Sequence, residues 1–311
     1  MKTKNLFQLA IILVSAIALT FTSCKKDNLN TGNADPTSLV QLTADENSVD
    51  GILKDAEGDV TSVLSNNGSG LKSTEWLPCH ATVDSLAKVN DTVTIYITYN
   101  GLTCNGKQNR TGQIEIKKKA GTHWELAGAS VTVKYINFTV TRVATNKSVT
   151  LNGTKTFVNV SGGHLWMVGT LIPSYVEKVS GSMQASFDNG TSRTWNVARQ
   201  LTYTGTPGQL NMTIDGFGSA GNYENLVVWG TNRQGEEFFT QITQPVVCRQ
   251  VCDWNPVSGM KIHQIPSKSK SATITFGFDD NNQPIVGDNC PTRYKIDWTQ
   301  NNKSGTSFLP L

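Results

Sequence analysis

The sequence lacks the patterns by which most enzyme classes announce themselves. It has no Gly-x-Ser-x-Gly elbow, no glycine-rich phosphate loop and no His-Glu-x-x-His pair. Its four histidines, His80, His123, His164 and His263, are scattered, with no spacing that sets two on one helix face or on neighbouring strand positions. Charge of one sign is also missing. Lys plus Arg number 27 against 24 Asp plus Glu, and Lys2 and Lys4 fall in the leader described next, so the remainder is near neutral. That leaves no basic footprint for nucleic acid. No helix-length apolar pattern separates the strand-like runs, which excludes a parallel α/β sheet.

The amino terminus does carry a pattern. Lys2 and Lys4 precede an apolar run from Leu6 to Phe21, broken only by Gln8, Ser15 and Thr20 and too short for a comfortable membrane span. It ends in Phe21-Thr22-Ser23-Cys24, small residues before a cysteine, with polar residues following at once. Residues 1–23 are therefore expected to be a lipoprotein signal peptide and Cys24 the lipidated first residue of the mature chain. Acyl chains at Cys24 would anchor the protein to one leaflet at about 0.8 kcal/mol per buried methylene. Residues 24–44, rich in Asn, Asp, Thr, Gly and Ser, read as a flexible tether.

Residues 45–66 read as an amphipathic helix. Val49, Ile52, Leu53, Ala56, Val60, Val63 and Leu64 recur at helical spacing, Thr43 and Glu46 form a capping-box pair, and Asn66-Asn67-Gly68 ends it. Its outer face is read as acidic, with Asp45, Glu46, Asp50, Asp55, Glu57 and Asp59. Gly51 and Gly58 each weaken it by up to about 1 kcal/mol, so it needs a surface to pack on. It is expected to lie across the β domain or to fill one open end.

From Trp76 onward the period is two. Val93, Ile95, Ile97 and Tyr99 alternate with Thr92, Thr94, Tyr96 and Thr98. Less regular runs follow at 113–117, 131–140, 155–160, 182–187, 194–203, 210–214, 224–229, 236–242, 272–278 and 293–298. Turn signals between them include Asn100-Gly101, Asn105-Gly106, Asn152-Gly153, Asn189-Gly190, Pro207-Gly208 and Gln234-Gly235. The expected fold is all-β, an antiparallel sandwich or extended meander sheets with one N-terminal amphipathic helix. The main β domain is placed at 71–245 and a C-terminal β segment packing on it at 246–311.

Five cysteines remain after Cys24: Cys79, Cys104, Cys248, Cys252 and Cys290. In an oxidising compartment they should pair, and the odd count leaves one over. A weak internal repeat, in which a cysteine precedes a strand and another sits in the turn after it, favours Cys79 with Cys104 and Cys252 with Cys290. The rival pairing, Cys248 with Cys252, spans about 13 Å along a straight strand and would need a turn near Arg249 and Gln250.

Candidates for chemistry are sparse. Cys248, Cys252, His263 and Cys290 could be assembled into a zinc site, although disulfides are the simpler use of these cysteines. Asp279, Asp280, Asn281 and Asp288 carry calcium-type oxygens but read better as a polar hairpin tip. No catalytic residue, metal site or cofactor is assigned. Seven tryptophans, Trp76, Trp124, Trp166, Trp195, Trp229, Trp254 and Trp298, are expected mostly in the core. The segment Gly163-His164-Leu165-Trp166-Met167 is the best candidate for an exposed apolar loop, with Trp166 and His164 as candidate binding aromatics.

The run from Cys79 to Ile116, with Asp91-Thr92-Val93-Thr94-Ile95, Cys104-Asn105-Gly106 and Arg110-Thr111-Gly112, resembles a group of uncharacterised Bacteroidota lipoproteins. So do Asn137-Phe138-Thr139-Val140, Asn152-Gly153-Thr154-Lys155-Thr156, Gly230-Thr231-Asn232-Arg233 and Pro256-Val257-Ser258-Gly259. Serine before the lipobox cysteine fits the same group, and Asp84-Ser85-Leu86 and Asp91-Thr92-Val93 resemble its short O-glycosylation motif. The resemblance implies a β-rich outer-membrane lipoprotein on the periplasmic or surface-exposed face, and it implies no activity. Cys248 matches none of these motifs. The leading expectation is a noncatalytic binding or structural module of the cell envelope, partnered by the membrane through its anchor and by a glycan or an envelope protein. The alternative is a hydrolase acting on envelope or environmental polysaccharide.

Overall fold

The computed structural model of the chain describes residues 37–65, 78–85 and 88–311. The expected signal peptide, Cys24, residues 25–36 of the expected tether, Asn66-Asn67-Gly68, Trp76 and Leu86 lie outside the described residues.

Helix α1 spans Thr37–Ser65 and starts about two turns earlier than its expected first residue, Asp45. Residues 37–44 are thus helix rather than tether. Leu39 and Leu42 are buried and continue the stripe of Val49, Leu53, Ala56 and Val60 backwards. Thr43 is not a cap: it lies inside the helix, its hydroxyl donating to the Leu39 carbonyl one turn back at 2.9 Å. Each buried Leu, Ile or Val contributes about 1.5–3 kcal/mol, which outweighs the penalties of Gly51 and Gly58.

Fifteen strands follow: β1 (Ala81–Ser85), β2 (Thr92–Leu102), β3 (Gln108–Lys119), β4 (Ala129–Arg142), β5 (Ser148–Asn159), β6 (Ser174–Phe187), β7 (Ser192–Thr206) and β8 (Gln209–Gly216). After these come β9 (Gly218–Ala220), β10 (Tyr223–Thr231), β11 (Glu237–Arg249), β12 (Pro256–Ile265), β13 (Lys270–Phe278), β14 (Arg293–Gln300) and β15 (Lys303–Pro310). They form one antiparallel sheet, a meander rather than a sandwich, in which sequence neighbours are spatial neighbours from β1 to β7 and from β10 to β15. β7 and β11 are long enough to hold two partners end to end between them, β10 along one stretch and β8 along the other. The division expected at 245–246 falls inside β11, so residues 246–311 are a continuation of the same sheet.

Four of the six dipeptide turn signals sit in hairpin turns. Asn100-Gly101 and Asn152-Gly153 instead lie within β2 and β5. At Gly153 (φ 138°) a Cβ would come within 2.4 Å of the Ser182 carbonyl oxygen, so glycine there marks the close approach of β6 rather than a turn.

Alternate residues of the strands point to one shared core that includes the apolar face of α1. Exposed residues of α1 fall on one narrow stripe, Thr37, Ala44, Gly51, Asp55, Gly58 and Ser62, while charged residues on both flanks of its apolar face reach the sheet. A single sheet that meets a cylinder on its face and on both flanks has to curl, and this one forms a trough with α1 lying in it.

Both disulfides take the pairing favoured by the sequence repeat, Cys79 with Cys104 and Cys252 with Cys290. The first closes the hairpin β1–β2 and the second the hairpin β12–β13, so each joins the segment entering a hairpin to the segment leaving it. Cys248 is free and buried.

Candidate functional site

The acidic residues of α1 do not form a solvated face. Sheet positions in phase with buried apolar residues carry a cation for four of these acids, Arg110 on β3, Lys155 on β5, Arg199 on β7 and Lys261 on β12, and Arg233 from the turn between β10 and β11 meets a fifth. The pairs are Asp59 with Arg110 at 2.8 Å, Glu57 with Lys155 at 2.5 Å, Asp50 with Arg199 at 3.0 Å, Glu46 with Lys261 at 3.0 Å and Asp45 with Arg233, which grips both carboxylate oxygens. Of the six acids, only Asp55 is exposed. The expectation of an acidic outer face is corrected here, because the curled sheet brings its own inward charges against both flanks of the helix.

Glu46 has further partners besides Lys261. Thr240 donates to its Oε1 at 2.8 Å, and His263 Nδ1 lies 2.9 Å from the same hydroxyl. Burial acts to raise the Glu46 pKa, but His263, Lys261 and Arg193 together bring it down to about 2. Burial pushes His263 down to about 4, against the pull of Glu46.

Along the Glu46, Asp50 and Glu57 flank the helix does not fill the trough. A cavity of about 1090 Å³ lies there, facing β6, β7, β8, β10 and β11. Its sheet wall is apolar, with Leu201, Tyr203, Met212, Ile214 and Val246, and its helix wall is polar. Gly51 and Gly58 border it, and a Cβ at either would meet nothing within 4 Å. The two glycines that cost the helix stability lie on its exposed stripe and leave it bare where the cavity opens.

An aromatic group closes one end. Tyr175 and Tyr203 have ring centroids 5.9 Å apart, and Tyr203 meets Trp254 edge-on at 5.8 Å. Lys54 lies 6.0 Å from the Trp254 ring and donates to the Asp253 carbonyl at 3.0 Å. At the rim, the short 3-10 turn Leu165–Met167 places Leu165 and Trp166 on the cavity lining. Trp166 is 63% exposed and stacks on His164, which is buried with Nε2 3.8 Å from Glu125. Asn159 positions this loop by donating to the Trp124 and Gly163 carbonyls and accepting from the Gly162 amide.

Among the described residues, one buried lining carboxyl has no cation. Glu177 on β6 is 4% exposed, and the Tyr175 hydroxyl donates to it at 3.4 Å. Burial, with Glu57 nearby, pushes its pKa up to about 8. The Cys248 thiol also lines the cavity, and burial raises its pKa to about 12.

The remaining candidates are separate from this cavity or otherwise engaged. Cys252 and Cys290 are joined to each other, and among the described residues no group of His, Cys, Asp and Glu is arranged to hold a metal ion. Asp279 accepts the Asn281 and Gln283 amides in a hairpin tip, and Asp288 pairs with Arg249. Trp124, Trp195 and Trp298 are core residues. No family model, curated protein or solved structure matches this chain.

Proposed function

We propose that this protein is a lipid-anchored cell-envelope binding module that takes an apolar or amphipathic guest into the space between its helix and its sheet. The observation that carries the reading is the cavity itself, of a size that suits a small-molecule ligand and lined by apolar side chains on one wall with a few polar groups on the other. Trp166 and Leu171, 63% and 69% exposed, belong to the loop at the rim and give an apolar guest a first contact. The anchor at Cys24 and the outer-membrane location, on its periplasmic or outer face, rest on the sequence and on the resemblance to Bacteroidota lipoproteins. The anchor places the cavity beside a source of amphiphiles.

A polysaccharide hydrolase is the second reading, and one observation favours it: Asp59 and Glu177 both line the cavity and both have pKa values raised by burial. Asp59, however, accepts from both Tyr99 and Arg110, which commits it to holding the helix. The test is calorimetric titration of the purified chain with octanol, run beside a glycan array and a hydrolysis assay on envelope polysaccharide. Saturable one-to-one uptake of octanol without hydrolysis supports the binding module; sugar release that is lost in Glu177→Gln overturns it.

A further inference from the structure

Glu177 breaks the charge pairing of the buried carboxylates that line the cavity. The five acids that α1 buries against the sheet each face a cation, and the cavity's own cations are engaged: Arg199 by Asp50, Lys261 by Glu46 and Lys54 by the Asp253 carbonyl. Glu177 lies in phase with Tyr175 and Val179 on the inner face of β6, with Asn159 on β5 and Leu201 on β7 as its register partners. Asn159 is fully engaged by the rim loop and Leu201 is apolar, so neither supplies a donor. The titratable groups facing it are Glu57 from α1, Tyr175 from its own strand and Tyr203 from β7, none of which is a cation.

We propose that Glu177 is the recognition group of the cavity and that the guest is an apolar chain ending in a primary ammonium, which supplies the cation that the described lining leaves out. The inference rests on the binding-module reading and adds the chemical class of the guest. An ammonium beside Glu177 adds an ion pair to the five that hold α1, with its chain along Leu201, Met212 and Ile214. An anionic head group would meet Glu57 and Glu177, and among the described residues that line the cavity no free cation offsets them.

Proton balance gives the test its signature. Near neutral pH Glu177 is held protonated, so uptake converts Glu177–COOH and R–NH₃⁺ into a carboxylate–ammonium pair and releases one proton to the buffer. An alkylammonium stays charged through this range, since amines of the lysine type titrate near 10.4. Its apparent affinity should therefore rise close to tenfold per pH unit from about pH 6 to 7.5, as the ionised fraction of Glu177 grows.

The experiment titrates the full chain with octylamine, octanol and octanoate by calorimetry at pH 6 and 7.5, in two buffers of different ionisation enthalpy to count protons. Octylamine is expected to bind at least about tenfold tighter than octanol at pH 7.5. It should release close to one proton per molecule bound, and both the preference and the pH dependence should vanish in Glu177→Gln. The proton count on the unaltered chain needs no variant. Equal binding of octylamine and octanol with no proton release overturns the ammonium inference and leaves the binding module standing. Failure of all three to bind overturns both.

Discussion

The Lys155 ammonium on β5 is 0% exposed and lies 2.5 Å from Oε1 of Glu57, one of the helix residues that border the cavity. Burial lowers the Lys155 pKa and the neighbouring Glu57 carboxylate opposes that shift. This contact joins the polar flank of α1 to the sheet and fixes the height of the helix in the trough.

Removing one member should therefore be costly. Glu57→Gln leaves a buried ammonium without its counter-charge and is expected to lower unfolding free energy by about 3–5 kcal/mol in urea titrations. The double variant Glu57→Gln with Lys155→Met should recover most of that loss. An additive loss in the double variant would show that the two residues act independently.

Two groups set opposite limbs of the pH–stability curve. Glu177 titrates at about 8 when folded and near 4.3 when unfolded, so the folded state holds the extra proton and stability falls as pH rises across that window, by up to about 1.4 kcal/mol per unit. His263, at about 4 when folded and near 6.5 when unfolded, acts the other way: the unfolded chain takes the proton first, and stability falls as pH drops through that range. Glu177→Gln should raise Tm at pH 8 more than at pH 5, and His263→Gln should flatten the acid limb. Equal shifts at both pH values would contradict the assignment.

Reduction should expose how much the hairpins owe to their bridges. With sequence separations of 25 and 38 residues, each disulfide is expected to contribute about 3–4 kcal/mol by restricting the unfolded chain. Cys79→Ala with Cys104→Ala should lower Tm without changing the amount of strand seen by circular dichroism. Cys248, its thiol raised to about 12, should resist maleimide at neutral pH until the chain is unfolded.

The period-two runs, the helix stripe and the repeat around Cys79, Cys104, Cys252 and Cys290 were readable because each is local, fixed by spacing along the chain. β1, β9, β12 and β15 were not found: the first two are only five and three residues long, and Pro256, Gly259 and Gly305 interrupt the alternation of the others. The cavity was invisible because it is a gap between elements far apart in sequence, and no residue pattern encodes a gap. One signal was present: Lys155 lies in phase with Leu151 and Phe157, Arg199 with Val197 and Leu201, and Glu177 with Tyr175 and Val179. A charge in phase with buried residues on a strand points inward, and with an acidic helix upstream these cations implied a buried helix rather than a solvated one.

The cavity claim is tested most directly by filling it. Gly51→Leu and Gly58→Leu place side chains where a Cβ meets no atom within 4 Å, on helix positions where leucine is the better former by up to about 1 kcal/mol, so folding should be retained. Titrating N-phenyl-1-naphthylamine into the full chain, the structure predicts saturable one-to-one binding to the unaltered protein and its loss in the doubly filled variant at unchanged or raised Tm. Binding that survives the filling, or no saturable binding to either protein, would contradict it.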